Sequence, residues 1–481
     1  LHPFVDSKGS FGKQYSREMA CAASRYTEVK LDAFAAELFR GIDKNAVDMV
    51  DNYDNSMKEP VLLPTTFPNI LVTPNLGIAV GMSSSICPFN LAEICEGTIA
   101  LLKNPKVEIS ELMEYIIAPD FPGGASIIYN KSQMHEIFRT GQGSVPLRAK
   151  YRYDKEANCI EILEIPYSTS VELIMKRLTD LLKDGKLREV TDFRDEIDLS
   201  GFKLTLDLRR GTDPDLLMAK LYKLTPLQDN FSCNFNVLIG STPRQMGVKE
   251  LLSEWIKFRM ICLRRELGFE LGKKKDKLHL LLGLGKILLD IDRAIAIVRS
   301  TQNDADVIPN LMKGFEIDEI QAEFIAEIKL RNLNREYILN RIKEIEELQK
   351  EIAELEKTIA SDTLMKKLIA KQLGAIREKY GKPRRTELIY EREIVQYNES
   401  DHVENFNCRI LLTHDGYFKK ITLQSLRGND EQKLKENDFI IFTEDTDNLP
   451  QLLFFTDRGQ VYKARLRDFD CVKASALGDY I

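Results

Sequence analysis

The chain has no run of apolar residues near the ~20 needed to cross a bilayer, and no signal peptide opens it. A membrane partner is therefore not expected. Its eight cysteines include no Cys-x-x-Cys pair and no interleaved histidines, so neither a zinc module nor a disulfide framework is expected, and reduced thiols in a cytosolic protein are the reading. The five histidines, His2, His135, His279, His402 and His414, are scattered, and the acidic residues are mostly dispersed, so no metal site is predicted within this chain. Surplus positive charge is missing too. With 68 Lys and Arg against 74 Asp and Glu, the net charge is -6 and the pI about 5.7. That balance argues against a uniformly basic nucleic-acid protein and leaves room only for a local basic groove on an acidic body. An initiator methionine is also lacking: the sequence opens at Leu1 and reads as a fragment.

What is present is a chain of 481 residues, 43% hydrophobic and 30% charged, enough for several domains with substantial cores. Near its start a Gly-containing segment, Asp6-Ser7-Lys8-Gly9-Ser10-Phe11-Gly12, precedes Arg25-Tyr26-Thr27-Glu28. A phenol can attack a phosphodiester and hold the broken strand, while a neighbouring guanidinium grips phosphate oxygens through paired hydrogen bonds. The ordinary alternative is an amphipathic surface pair.

From about Glu18 to Asp54, apolar Leu31, Phe34, Ala35, Leu38 and Phe39 recur at three- and four-residue spacing and predict helix. Residues 59 to 246 mix Pro and Gly turns with strand-like runs such as Cys159–Ile165 and Lys203–Leu208, an α+β pattern. Between 247 and 386 glycine thins out, and Ile338, Ile342, Ile345, Leu348, Ile352, Leu355 and Ile359 form a stripe that must be buried on a partner helix. An outgoing arm from Leu251 to Ser300 with short helices near Asp318–Leu333 at its tip is one solution, and an ordinary helical hairpin is the other. Beyond Lys382-Pro383-Arg384-Arg385, two strand–Gly–strand units centre on Gly416 and Gly459, 43 positions apart, as in bladed all-β repeats. Further repeats are expected past Ile481, because one or two blades leave open edges.

The ordered series Phe4-Val5-Asp6, Ser10-Phe11-Gly12, Arg25-Tyr26-Thr27-Glu28, Val50-Asp51-Asn52-Tyr53-Asp54, Pro68-Asn69-Ile70-Leu71 and Gly77-Ile78-Ala79-Val80-Gly81-Met82 resembles the A subunits of bacterial type IIA topoisomerases, DNA gyrase and topoisomerase IV. Weaker likeness runs through Ala118-Pro119-Asp120-Phe121-Pro122 and Glu164-Ile165-Pro166-Tyr167 to the end. The resemblance implies a multidomain α+β chain: the C-terminal part of a winged-helix domain (1–58), an α+β tower (59–246), a long antiparallel coiled coil with a helical dimerisation tip (247–386), and the start of an all-β pinwheel (387–481). It implies that Tyr26 is the nucleophile and Arg25 its phosphate-binding neighbour. It implies that Ile78 wedges between base pairs and bends the duplex, although sequence alone reads Ile78 as a core contact. Lys8, Lys13, Arg17 and Lys30 lie near the nucleophile and could meet phosphates or simply face solvent, and Arg194, Arg209 and Arg210 are weaker candidates.

A phenol of ordinary pKa about 10 needs electrostatic help, part of it from Arg25 and the rest from Mg²⁺. The resemblance puts that Mg²⁺, and ATP, on a B-type ATPase partner, in an A2B2 heterotetramer whose A subunits form a homodimer through the coiled-coil tip. The substrate implied is double-stranded DNA, in the bacterial cytoplasm. The region Ser425–Leu434 lacks the Gln-Arg-Arg-Gly-Gly-Lys-Gly-like box of gyrase A subunits, which favours a topoisomerase IV-like role in decatenation and relaxation over gyrase. A non-catalytic DNA scaffold is the rival from another class.

Overall fold

In the computed structural model, which describes residues 2–197, 201–288, 290–329, 335–393, 406–426 and 431–481, the segment expected as helix from Glu18 to Asp54 is broken into short pieces. Val5–Lys8 pairs antiparallel with Glu28–Leu31, setting Val5 opposite Leu31 and Lys8 opposite Glu28. This ribbon satisfies the backbone that a helix would have used, and Val29 and Leu31 are exposed on it. The apolar spacing serves only the short turn Ala33–Ala35 and the single helical turn Ala36–Phe39, which bury Phe34, Ala35 and Leu38. The Asp32 carboxylate caps that turn by accepting the Phe34 amide at 2.8 Å. Gly41, at φ +88°, ends it where a Cβ would meet Glu266 at 2.5 Å.

The chain divides into two units, Leu1–Ile394 and Val395–Ile481. At the centre of the first is a six-stranded sheet in the order Glu387–Tyr390, Ser126–Tyr129, Gln142–Arg148, Gln228–Asn234, Met82–Ile86, Asn75–Ala79. Its pairings are antiparallel, except that Glu387–Tyr390 runs parallel to Ser126–Tyr129. Helices Leu91–Lys103, Lys131–Thr140 and Asp362–Tyr380 share a core with it that includes Phe67, Phe89, Phe121, Ile127, Phe138 and Phe235. The first two helices start on asparagine caps: Asn90 accepts the Ala92 amide, and Asn130 those of Ser132 and Gln133.

A second, four-stranded antiparallel sheet orders Val190–Asp195, Leu204–Leu208, Cys159–Glu164 and Lys150–Asp154. The period-two pattern of these strands separates its faces. Ile160, Ile162, Leu204 and Leu206 are buried with Ile174 and Leu178 of helix Val171–Lys183, while Arg152, Lys203 and Arg194 pair with Glu161, Glu196 and Asp207.

The stretch expected as the outgoing arm, Leu251 to Ser300, falls on two helices. Val248–Leu288 runs 41 residues, and a separate helix, Ile291–Ser300, follows with its first turn capped by Asp290. Arg335–Ala360 returns antiparallel to the long helix, as the ion pairs Lys274–Glu351 and Lys277–Glu344 record, with Leu281, Leu284 and Leu348 buried between them. Ile287, Ala294, Leu311, Ile317 and Ala322 make a separate small core where Ile291–Ser300, Val307–Phe315 and Glu319–Ala326 gather.

The second unit holds both expected Gly hairpins. Asn407–Thr413 pairs with Tyr417–Thr422 around Gly416, and Gln451–Phe455 with Val461–Arg465 around Gly459, the glycines at φ +86° and +72°. The box region Ser425–Leu434 lies partly outside the described residues.

Candidate functional site

The Arg25–Tyr26 pair sits on a short turn, Ser24–Tyr26, between the paired strand Glu28–Leu31 and the arm that bonds Ser10 and Phe11. The turn is closed by the Tyr26 amide donating to Ala23 O at 2.9 Å and by the Thr27 amide and hydroxyl donating to Ser24 O. Gly9 is required opposite it. At φ +91° its backbone passes so close that a Cβ would stand 2.4 Å from the Tyr26 carbonyl. The phenol is left open, with the residue 66% exposed, and the Arg25 guanidinium lies 4.7 Å from its ring centroid. Among the described residues Arg25 has no carboxylate partner, so its donors are open to an incoming anion.

Both ends of the ribbon are fixed. At its base the Asp32 amide donates to Phe4 O at 3.0 Å, and Phe4 stacks on Phe34, which in turn packs against Phe67 and Tyr380 with centroids 5.0 and 4.9 Å away. At its tip the loop of residues 13–19 is clamped to the start of helix Val171–Lys183. Glu172 Oε1 accepts the Ser16 hydroxyl and the backbone amides of Arg17 and Glu18, the latter two at 3.0 and 3.3 Å, and Val171 N donates to Tyr15 O at 2.8 Å. Tyr15 meets Phe202 edge-on. Burial pushes the Glu172 carboxyl up, but the Ser16 hydroxyl, the group's own backbone amide, the Ser170 hydroxyl and the Arg17 amide together outweigh it and hold the group down at about 2. Glu172 is the residue that sequence reasoning missed. It stands 155 positions from Arg17, and no local pattern marks it.

The four basic candidates near the tyrosine separate into two kinds. Lys8 pairs with Glu28 at 3.7 Å and Lys30 with Asp6 at 3.2 Å, both directly across the ribbon and both well solvated. Lys13 and Arg17 make no ion pair among the described residues, and the Glu172 clamp fixes the backbone from which Arg17 projects. Of the weaker candidates, Arg194 is already engaged by Glu196 and Asp207, whereas Arg209 and Arg210 form no ion pair among the described residues.

Ile78 lies away from Tyr26 in sequence, on strand Asn75–Ala79, which turns through Val80 and Gly81 into Met82–Ile86 with Ile78 opposite Ser83. Gly81 supplies φ +79° in the turn. The core reading of Ile78 fails: it is 96% exposed, and Val80 beside it is fully exposed, with nothing apolar covering either. Among the described residues, no three His, Cys, Asp or Glu side chains converge on a possible metal site. No described helix is long and apolar enough to cross a membrane. All eight cysteines are free, six of them buried.

Residues 1–374 match the family of DNA gyrase/topoisomerase IV A subunits. The chain is 36% identical over 474 residues to the DNA gyrase A subunit of Metamycoplasma arthritidis, covering 96% of this chain and 52% of that protein. It is 37% identical over 477 residues to the Clostridium acetobutylicum protein of the same name, at 96% and 56% coverage, and 34% identical over 496 residues to that of Streptomyces coelicolor, at 100% and 57%. The chain thus spans about half the length of these relatives. An ordered motif series, an open Arg25–Tyr26 pair and a family match over most of the chain lead to one statement: this protein belongs to the family of DNA gyrase and topoisomerase IV A subunits.

Proposed function

We propose that the chain is the breakage-reunion part of a type IIA DNA topoisomerase, with Tyr26 as nucleophile on double-stranded DNA. The observation that carries this is the open phenol beside a guanidinium with no described carboxylate partner, on a ribbon pinned at both ends, since a nucleophile must be both accessible and fixed. Tyr26 Oη forms a bond to phosphorus as the bond to the 3′ oxygen breaks. The phenol proton passes to solvent and the leaving oxygen takes one up. The 5′-phosphotyrosine conserves the energy of the phosphodiester, so resealing is the same step in reverse. Arg25 binds the phosphate oxygens, and Lys13 and Arg17 meet flanking phosphates, with Lys8 and Lys30 as secondary contacts. Ile78 enters a base step and bends the duplex.

In this reading residues 1–58 are the end of a winged-helix domain, 59–246 a tower, 247–386 a coiled coil whose tip joins two copies of the chain, and 387–481 the start of a β-pinwheel. Two tyrosines, one from each copy, cut opposite strands. The family resemblance assigns Mg²⁺ and ATP to a B-type partner, in an A2B2 assembly in the bacterial cytoplasm. The missing Gly-rich box favours decatenation and relaxation. The second reading, negative supercoiling, is favoured by the relatives, which are named as DNA gyrase A subunits.

The test mixes the chain with a B-type partner, Mg²⁺ and plasmid and traps with detergent. Protein-linked linear DNA is expected, and its absence would leave the non-catalytic scaffold as the better account. Adding ATP with catenated or relaxed circles separates the two catalytic readings by product.

A further inference from the structure

The base of the tyrosine ribbon is joined to the long helix Val248–Leu288 by two routes. In the first, the Trp255 indole donates to Thr65 Oγ1 at 3.0 Å and Arg259 Nη1 to Pro64 O at 3.4 Å. The adjacent Thr66 donates its amide to Glu37 O at 3.0 Å and its hydroxyl to Glu37 Oε2 at 2.7 Å. Glu37 lies in the helical turn Ala36–Phe39, which continues the turn that Asp32 caps at the foot of the ribbon. In the second route, Glu266 packs against Gly41, where that turn ends. Just beyond, Ala46 and Val47 are buried with Cys262, and Arg265 donates to Asn45 O and Asp48 Oδ1, both at 2.7 Å.

Both routes meet at Arg259, which is 0% exposed, a rare placement for a cation. Its guanidinium donates to Glu266 Oε1 at 2.7 Å, and Glu266 is itself buried. The remaining contacts, to Glu266 Oε2, Pro64 O and Gln372 Oε1, are longer, at 3.5, 3.4 and 3.4 Å, and Nε finds no acceptor among the described residues. Gln372 belongs to helix Asp362–Tyr380. One side chain therefore touches two helices, the Pro64–Thr66 segment and, through Glu266, the Gly41 turn. A buried and partly satisfied ion pair stabilises a fold no more than apolar side chains of the same volume, because desolvation offsets the attraction. Stability does not account for Arg259. Its hydrogen bonds have direction, which apolar packing lacks, and they set the register of the segments around it.

We propose that Arg259, acting with Glu266, is a positioning residue for strand cleavage. It fixes the register of the tyrosine ribbon on the long helix, and through it the placement of Tyr26 Oη at phosphorus, without touching DNA itself. The inference rests on the assignment of Tyr26 as nucleophile.

The test is Arg259→Met combined with Glu266→Met in the full chain, which removes both charges and nearly keeps the volume. The melting temperature should be unchanged or higher. Adduct formation is then followed with a B-type partner, Mg²⁺ and a series of plasmid concentrations. The DNA concentration for half-maximal rate should stay the same while the maximal rate falls about 10- to 100-fold, since a shift of about 1 Å at the reacting atom suffices. Lys257→Gln, which alters an exposed partner of Glu254 on the same helix, should move none of these. An unchanged maximal rate in the double variant overturns the proposal and leaves the nucleophile assignment standing. A fall in rate matched by a fall in melting temperature also overturns it, because the pair is then an ordinary structural contact. If the unaltered chain forms no adduct, the assignment of Tyr26 falls and the inference falls with it.

Discussion

Two features project from the first unit, and they are held in opposite ways. The Tyr26 ribbon is pinned at its base by Phe4, Phe34, Phe67 and Tyr380 and at its tip by Glu172, so its turn has little freedom. The Ile78 hairpin is tied along one edge through Asn234, Asn236 and Ser232 and at its base through the Asn75 amide, which donates to the Ile70 and Thr73 carbonyls, and its apolar end stands bare. The contrast matches the roles proposed for them: attack at phosphorus tolerates errors of only a fraction of an ångström, which calls for the first arrangement, and entry into a base stack calls for exposed apolar surface, as in the second.

Substitutions at seven positions would break or sharpen this contrast. Tyr26→Phe has the largest expected effect: detergent-trapped adducts fall to background while the chain binds DNA as before. Glu172→Ala is next. It leaves the Ser16, Arg17 and Glu18 donors without their acceptor, which should lower stability by about 1–2 kcal/mol in thermal melts. Adduct formation should fall about 10- to 100-fold because the tyrosine turn is misplaced. The same carboxylate sets a pH dependence. Its folded-state pKa of about 2 is below its ordinary value, so its contribution is complete above about pH 4.3 and is lost as pH falls toward 2. Protection of the Arg17 and Glu18 amides, measured against the intrinsic exchange rate at each pH, should fall over that window in the unaltered chain and be independent of pH in Glu172→Gln.

Ile78→Ala should reduce duplex bending, measured by energy transfer between labelled ends, and weaken affinity by about tenfold or less, leaving the melting temperature unchanged because Ile78 covers no core. The smallest effects belong to the ribbon lysines. Lys8→Gln and Lys30→Gln should barely alter melting, since exposed pairs contribute little, and as secondary contacts already matched by a carboxylate across the strand they should flatten the salt slope by well under about 0.9 each. Lys13→Gln and Arg17→Gln should each flatten the salt slope by about 0.9.

Much of this architecture could be read from local pattern. Strands Cys159–Glu164 and Leu204–Leu208 carry the alternation of a half-buried sheet, and Gly416 and Gly459 mark hairpins because each supplies a positive φ. The helical reading of Glu18–Asp54 failed because Phe34, Ala35 and Leu38 keep helical spacing over a single short turn, while Glu28–Leu31 is recruited by a strand far upstream. The Leu251–Ser300 arm falls on two helices because Asp290 caps a new one, a break that the apolar pattern does not announce. In the candidate site, Arg25–Tyr26 was legible as a motif. Ile78 was not, since an isoleucine reads as core until the hairpin is known to project. Glu172 and the pairing of Lys8 and Lys30 with Glu28 and Asp6 depend on tertiary placement and strand register, which single-residue chemistry does not encode.

The most direct test of the central claim is to digest the trapped protein–DNA adduct and locate the linked residue by mass spectrometry. The account predicts a phosphodeoxynucleotide on Tyr26 and on no other tyrosine. A link at Tyr53, which is even more exposed but sits on a turn with no neighbouring arginine, would contradict it.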